Sequence, residues 1–257
     1  GIYLFLKEII KDNKTEVLLS PFTIFDVVNM VISAGGKPVF IDIKSKNNTN
    51  FLLDDLKKSI NENTSCILLT HYHFNNGDLS EILELCKDKD IKLMEDCAIS
   101  LGSIEKGEHV GYYSDASIFS FSIFKFISVY QGGALYVKDK KIRNKIIKEI
   151  STYKKFKIIE MYRYFLKGLK FSIVTSKFCF PFIFKIIFLG YKNDVKIIKD
   201  NIKNDPKPFL RKVISEDFLR KVNLFQIEEF TRQLDNLDYY QKIREKNFLT
   251  YNKKLKI

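Results

Sequence analysis

Between residues 16 and 97 the apolar pattern switches repeatedly between short β-rich runs and stretches of helical period, and this alternation restricts the fold more than any other feature of the chain. Glu16 to Ser20, Pro38 to Ile43, Ser65 to Thr70 and Lys92 to Cys97 read as strands. Thr23 to Ala34, Phe51 to Ile60 and Asp78 to Lys89 read as the helices between them, and Gly35 and Gly36 end the first. A βαβ series of this kind buries both faces of a mostly parallel sheet under helices, so the expected class is α/β. Two further β-like runs, Ala116 to Phe121 and Gly133 to Val137, have no long helix between them and predict that the sheet turns antiparallel there. Upstream, Ile2 to Ile10 has the look of an apolar helix already under way at Gly1, which predicts a missing upstream segment.

After Asp139 the character changes to Lys-rich helical segments. Phe171 to Gly190 holds six Phe together with Lys177, Pro181 and Lys185. Each Lys near the middle of a spanning helix costs about 2.5–3.5 kcal/mol, and proline breaks a helix, so a peripheral, interfacial helix pair or a face covered by another subunit is expected over 171–190. Asp205 to Pro208 reads as a linker, and Ser215 to Lys254 as one or two charged helices. The expected organisation is an α/β domain over 1–150, an apolar and basic helical insertion over 151–214, and over 215–257 the start of a further, incomplete C-terminal part.

The formal charge of +12 invites a nucleic-acid reading, but its distribution argues against one. Residues 1–150 hold 19 Lys and Arg against 20 Asp and Glu, whereas the remaining 107 residues hold 24 against 11. No nucleic-acid motif accompanies the excess, so no nucleic-acid partner is expected. Cys66, Cys86, Cys97 and Cys179 form no CxxC pair and read as buried thiols of a reducing, cytoplasmic protein. His71 and His73 lack a nearby third ligand, so no metal site is expected, and Gly132 and Gly133 lack the spacing of a dinucleotide or phosphate loop.

In an open parallel sheet, ligands bind beyond the carboxyl ends of the strands, and three polar residues fall there. They are Asp96 after the run Ile91 to Met94, Ser120 within Ala116 to Phe121, and Lys125 between Phe124 and Phe126. Flanking rings are expected to desolvate the Lys125 ammonium and favour the nucleophilic amine. Taken singly, each residue has an ordinary reading: a loop or capping carboxylate, a strand hydroxyl, a snorkelling lysine.

Their ordered combination resembles the DegT/DnrJ/StrS sugar aminotransferases, which share the fold of aspartate aminotransferase. The resemblance is carried by EVLLSPFTIFDVVNMVISAGGKPVFIDI from Glu16, HYHFNNGD from His71, EDCAISLGS from Glu95, VGYYSDASIFSFSIFK from Val110 and GGALYV from Gly132. A weaker echo, QIEEFTRQLDNLDYYQKIREKNFLTYNKKL, is similar to the helix joining that family's two domains. The resemblance implies a pyridoxal 5'-phosphate-binding large domain over 1–150 and the start of the small domain over 215–257. It implies Lys125 as the Schiff-base lysine that also moves the substrate proton, Asp96 as partner of the cofactor ring nitrogen, and Ser120 as a phosphate ligand. Gly1 matches the end of the phosphate-binding turn, and His71 a position on the pocket wall.

The implied reaction moves an amino group from glutamate or a similar donor to a nucleotide-linked keto sugar, in a homodimer that serves polysaccharide or glycoconjugate assembly. Lysine rather than histidine at 125 favours transamination over sugar dehydration. Departures from the pattern are Ile99 where Gln or His is usual, Ile24 where an aromatic covers the ring, Phe126 where Asn follows the lysine, and Leu219 and Lys221 near the usual Asn-x-Arg pair. Phe22 or Phe25 is the expected substitute for the missing aromatic. The competing reading is a lapsed homologue that binds a membrane surface or a partner through 171–190.

Overall fold

A computed structural model describes residues 1–72, 79–105, 107–193 and 209–255. His73, the first residue of the helix read from Asp78 and the linker at 205–208 lie outside the described residues.

The chain opens with helix α1 (Ile2–Ile9), followed by β1 (Glu16–Leu19), α2 (Phe25–Ser33) and β2 (Lys37–Phe40). A short hairpin follows, β3 (Ile43–Ser45) with β4 (Asn48–Phe51), where the sequence reading continued the strand to Ile43 and began a helix at Phe51. Then come α3 (Leu53–Ser59), β5 (Thr64–Thr70), α4 (Leu79–Lys89) and β6 (Lys92–Asp96). The two-residue strands β7 (Ile104–Glu105) and β8 (Glu108–His109) precede β9 (Ala116–Ser120), β10 (Gly133–Val137) and α5 (Lys140–Ser151). Asp139 starts α5 by accepting the amides of Lys141 and Ile142 at 2.7 and 2.9 Å, the usual device for the unpaired N–H groups of a first turn.

Six strands form one sheet in the order β10-β9-β6-β5-β1-β2, parallel throughout except for β10, which runs antiparallel to β9. The mostly parallel α/β architecture read from the sequence is therefore present, as is the reversal at its edge. Residues 121–132 contain no helix that could carry the chain back over the sheet, so β10 can only return alongside β9. Alternation along each strand then sorts the side chains. Val17, Leu19, Cys66, Leu68, Met94, Ala116 and Val137 pack under α1, α2 and α5. Leu18, Ile67, Leu69 and Leu93 pack on the other face with α3 and α4. Leu68, fully buried in the middle of the sheet, marks how closely that core is filled. Leu68→Ala is expected to cost about 2–5 kcal/mol, read as a lower urea midpoint at unchanged slope.

The chain divides into two compact units, one of residues 1–156 and 211–257, the other of 157–210. In the first, β11 (Lys154–Lys155) pairs in parallel with β12 (Arg220–Lys221), so the chain leaves that unit and re-enters it on adjacent strands. The second unit contributes α6 (Ile158–Val174) and α7 (Phe180–Lys192). After β12 come α8 (Leu224–Leu234) and α9 (Leu237–Leu255), which group with the first unit. An Asn223 cap on the Gln226 amide, with Gln226 reaching back to the Asn223 N–H, starts α8.

Candidate active site

Asp96 is the last residue of β6, 6% exposed, and its Oδ1 accepts the Ala98 amide at 3.0 Å. It pairs in register with Thr70 of β5 and Ile118 of β9. Because side chains alternate, Ser120, two residues beyond Ile118, lies on the same face as Asp96. This is the face covered by α1. A Cβ on Gly1 would collide with the Ile118 side chain, so the N-terminus of α1 stands against the strand that carries Ser120. An acid, a hydroxyl and the free amides of a helix start thus share one edge of the sheet, and the amides favour an anion.

Lys125 follows in a turn closed by its amide on the Ser122 carbonyl at 3.0 Å. It is half-buried. Burial pushes the Asp96 carboxyl above the usual carboxylate range, while the Ala98 amide and the positive charges of Lys125 and His71 pull it back. The expected pair of shielding rings is only partly present: Phe124 is 65% exposed, whereas Phe126 is half-buried and lies under the Arg244 guanidinium, 4.3 Å from its centre.

Beneath Asp96 lies a buried polar pair that the sequence did not signal. His71 Nε2 and Glu95 Oε2 share a hydrogen bond of 2.6 Å, with the residues 3% and 0% exposed. The same oxygen accepts the Gly111 amide at 3.0 Å. Burial opposes ionisation of Glu95, but the bond and charge of His71 outweigh it and hold the carboxyl below its usual range. Gly111 can offer its amide here because its φ of +90° suits glycine, and a Cβ would press on Phe119 and Ser117. The His71 amide donates to the Asp96 carbonyl at 3.0 Å, so this pair fixes the peptide that presents Asp96, and His71 is an internal support rather than a wall of the pocket. His71, Glu95 and Cys97 bring ligand-type atoms within 4.8 Å of one another. Burial pushes the Cys97 thiol far up, and Glu95 Oε2 is already engaged, so we read the group as a hydrogen-bonded support.

Two aromatic side chains stand at the same edge. Phe22, after β1, and Tyr72, after β5, have ring centroids 5.0 Å apart at 60°. Burial, and to a lesser degree the Asp96 carboxylate, pushes the Tyr72 hydroxyl up to about 12. Ile24, by contrast, is 69% exposed.

The loop carrying Lys125 is held from far along the chain by α8. Gln226, 1% exposed, donates to the carbonyls of Val129 and Gln131 at 3.3 and 2.8 Å. Gln233 accepts the Ser128 amide at 2.9 Å and donates to its carbonyl at 2.8 Å. Phe230 packs on Phe121 with centroids 4.6 Å apart. Tyr130 lies between the two carbonyls that Gln226 holds and takes a left-handed φ of 69°, a strained state that survives only where neighbours enforce it. Gln226→Leu leaves both carbonyls without that donor. We expect a loss of about 1–3 kcal/mol in stability, measured by thermal denaturation, and faster proteolysis at 122–131.

A sequence profile of the DegT/DnrJ/EryC1/StrS aminotransferase family matches residues 1–163. The chain belongs to this family. Over 133 residues it is 32% identical to the GDP-perosamine synthase of Escherichia coli O157:H7, a match covering 51% of this chain and 36% of that protein. Over 134 residues it is 31% identical to the UDP-4-amino-4,6-dideoxy-N-acetyl-beta-L-altrosamine transaminase of Helicobacter pylori, covering 52% and 35%. Among solved structures, Helicobacter pylori PseC, an aminotransferase involved in the biosynthesis of pseudoaminic acid, matches in fold with a TM-score of 0.67. That match is 21% identical and covers 98% of this chain and 54% of that one. The chain spans little more than a third of the length of the curated relatives it matches.

Aminotransferases of the DegT/DnrJ family depend on pyridoxal 5'-phosphate, and the site fits that cofactor on its own terms. A buried carboxyl that accepts one amide and sits above its usual range is suited to a cationic N–H, as a pyridinium offers. Ser120 and the α1 start offer donors on the same face for a phosphate. The departures from the family pattern also have a place. Half-buried Ile99 and Phe126 make this edge less polar, and the Phe22–Tyr72 pair puts aromatic surface near Asp96 where Ile24 supplies none.

Proposed function

We propose that the protein is a pyridoxal-phosphate-dependent aminotransferase acting on a nucleotide-linked keto sugar. The observation that supports this most directly is the buried Asp96 at the carboxyl edge of a parallel sheet, with Ser120 on the same face and Lys125 in the turn that follows. Bound there, the cofactor supplies an electron-withdrawing ring and an aldehyde carbon that can carry an amino group. Asp96 would keep a proton on the ring nitrogen. Ser120 and the first amides of α1 would hold the phosphate. Lys125 would hold the cofactor at its aldehyde carbon and, once displaced by substrate, would carry the proton between the substrate carbon and that cofactor carbon. The His71–Glu95 pair keeps the Asp96 peptide still, and Phe22 with Tyr72 would exclude water from one side.

The relatives' names support the nucleotide-sugar reading, and the stretch from Gln226, similar to the helix joining that family's two domains, supports the aminotransferase reading. Glutamate as donor, a cytoplasmic homodimer and a place in polysaccharide or glycoconjugate synthesis complete the proposal. The test is the visible absorption of purified protein supplied with pyridoxal 5'-phosphate, followed by amino transfer from glutamate to nucleotide-linked keto sugars. Protein that takes up no cofactor would overturn the reading and favour a lapsed homologue, the alternative raised by Ile99 and Phe126.

A further inference from the structure

The unit of residues 157–193 carries a surface that the aminotransferase reading does not use. In α7 the exposed large apolar residues are Phe180, Phe182, Phe184, Ile186, Ile187, Phe188, Leu189 and Tyr191, eight of its thirteen residues. Phe180, Phe184 and Phe188 stack along one line, with centroids 5.8 and 6.2 Å apart. A helix that exposes large apolar side chains on most of its circumference favours an apolar medium. Helix α6 is two-sided. Tyr162, Phe165, Leu166, Leu169 and Ile173, at spacings of three and four, form one exposed apolar stripe, and Arg163, Lys167 and Lys170 form a basic stripe beside it.

Charge decides what covers this surface. Residues 157–193 hold seven Lys and Arg against a single acid, Glu160. A second copy docked on the same patch would bring like charges together with almost nothing to neutralise them. A lipid leaflet with anionic headgroups satisfies both features, because Lys and Arg stems reach the headgroups while the Phe and Leu side chains enter the acyl boundary. Depth is limited as well: no described helix is long and apolar enough to cross a membrane.

We propose that α6 and α7 form a peripheral docking surface for an anionic lipid leaflet. The surface lies outside the candidate active site, so the two readings fail independently. The test is cosedimentation of the whole protein with sucrose-loaded vesicles, either phosphatidylcholine alone or phosphatidylcholine with phosphatidylglycerol at about three to one. We expect preferential binding to the anionic vesicles that falls as salt rises. At about fivefold per basic residue removed, the triple variant R163E/K167E/K170E should weaken it by about 100-fold or more. The double variant F182S/F184S should weaken it at all salt concentrations. Unchanged far-UV circular dichroism shows that each variant is folded. Equal binding to both vesicle types, or no binding to either, overturns the proposal. Concentration-dependent self-association that F182S/F184S abolishes, without vesicle binding, assigns the surface to a second copy instead.

Discussion

Lys125→Ala is expected to abolish amino transfer, with a fall of at least about 10⁴-fold, since positioned proton transfer alone contributes about 10²–10⁴ and the covalent hold on the cofactor is lost with it. The visible band of the bound cofactor should disappear or move, while thermal stability changes little, because Lys125 is half-buried and lies in a turn outside the strands of the sheet. Its loss also removes one of the positive charges that favour ionised Asp96. Lys125→Arg keeps that charge without a nucleophilic amine, so it should be as inactive as Lys125→Ala. A Lys125→Ala protein that still transfers amino groups at even a hundredth of the normal rate would remove the residue from the chemistry.

Asp96→Asn separates cofactor binding from folding. Burial raises the Asp96 carboxyl, so between the ordinary carboxylate value and that raised value the folded chain holds more protons than the unfolded one. Stability of the cofactor-free protein therefore falls as pH rises through that window, and the cost persists at neutral pH. Asparagine carries no charge to bury, and its oxygen can still accept the Ala98 amide. Cofactor-free Asp96→Asn should accordingly melt at or above the parent temperature at pH 7, with a flatter dependence on pH. Affinity for pyridoxal 5'-phosphate should nevertheless drop by about 10²–10⁴-fold, since breaking one side of a buried ion pair costs about 3–5 kcal/mol. Titration calorimetry with the cofactor and melting curves at several pH values read the two effects separately. Lower stability together with unchanged affinity would mean that Asp96 is a structural carboxylate.

What the sequence disclosed and what it hid follow from distance along the chain. The switch between periods of two and 3.6 residues is local, so the strands around Leu18, Leu68 and Met94 could be read directly. That Asp96 and Ser120 end strands and Lys125 follows in a turn was legible because strand ends are local features too. The β3–β4 hairpin was missed because Ser45 to Asn48 carries no turn glycine and its strands are three and four residues long. The His71–Glu95 bond joins residues 24 apart, and the hold of Gln226 and Gln233 on the lysine loop spans 95 to 105 residues. Nothing in a glutamine's neighbours announces a carbonyl that far away. Phe22 was singled out as a possible ring cover, but its partner Tyr72, fifty residues on, emerged only from the way β1 and β5 lie side by side.

The grip of α8 on residues 128–131 also has a bearing on biosynthesis. A ribosome adding about 5–20 residues per second releases the strands of the sheet first and the gripping glutamines roughly 5–20 seconds later. During that interval the segment bearing Lys125 has strands on both sides but no anchor above it. We expect vitamin capture to follow translation through Gln233, with nascent chains that stall earlier emerging without colour.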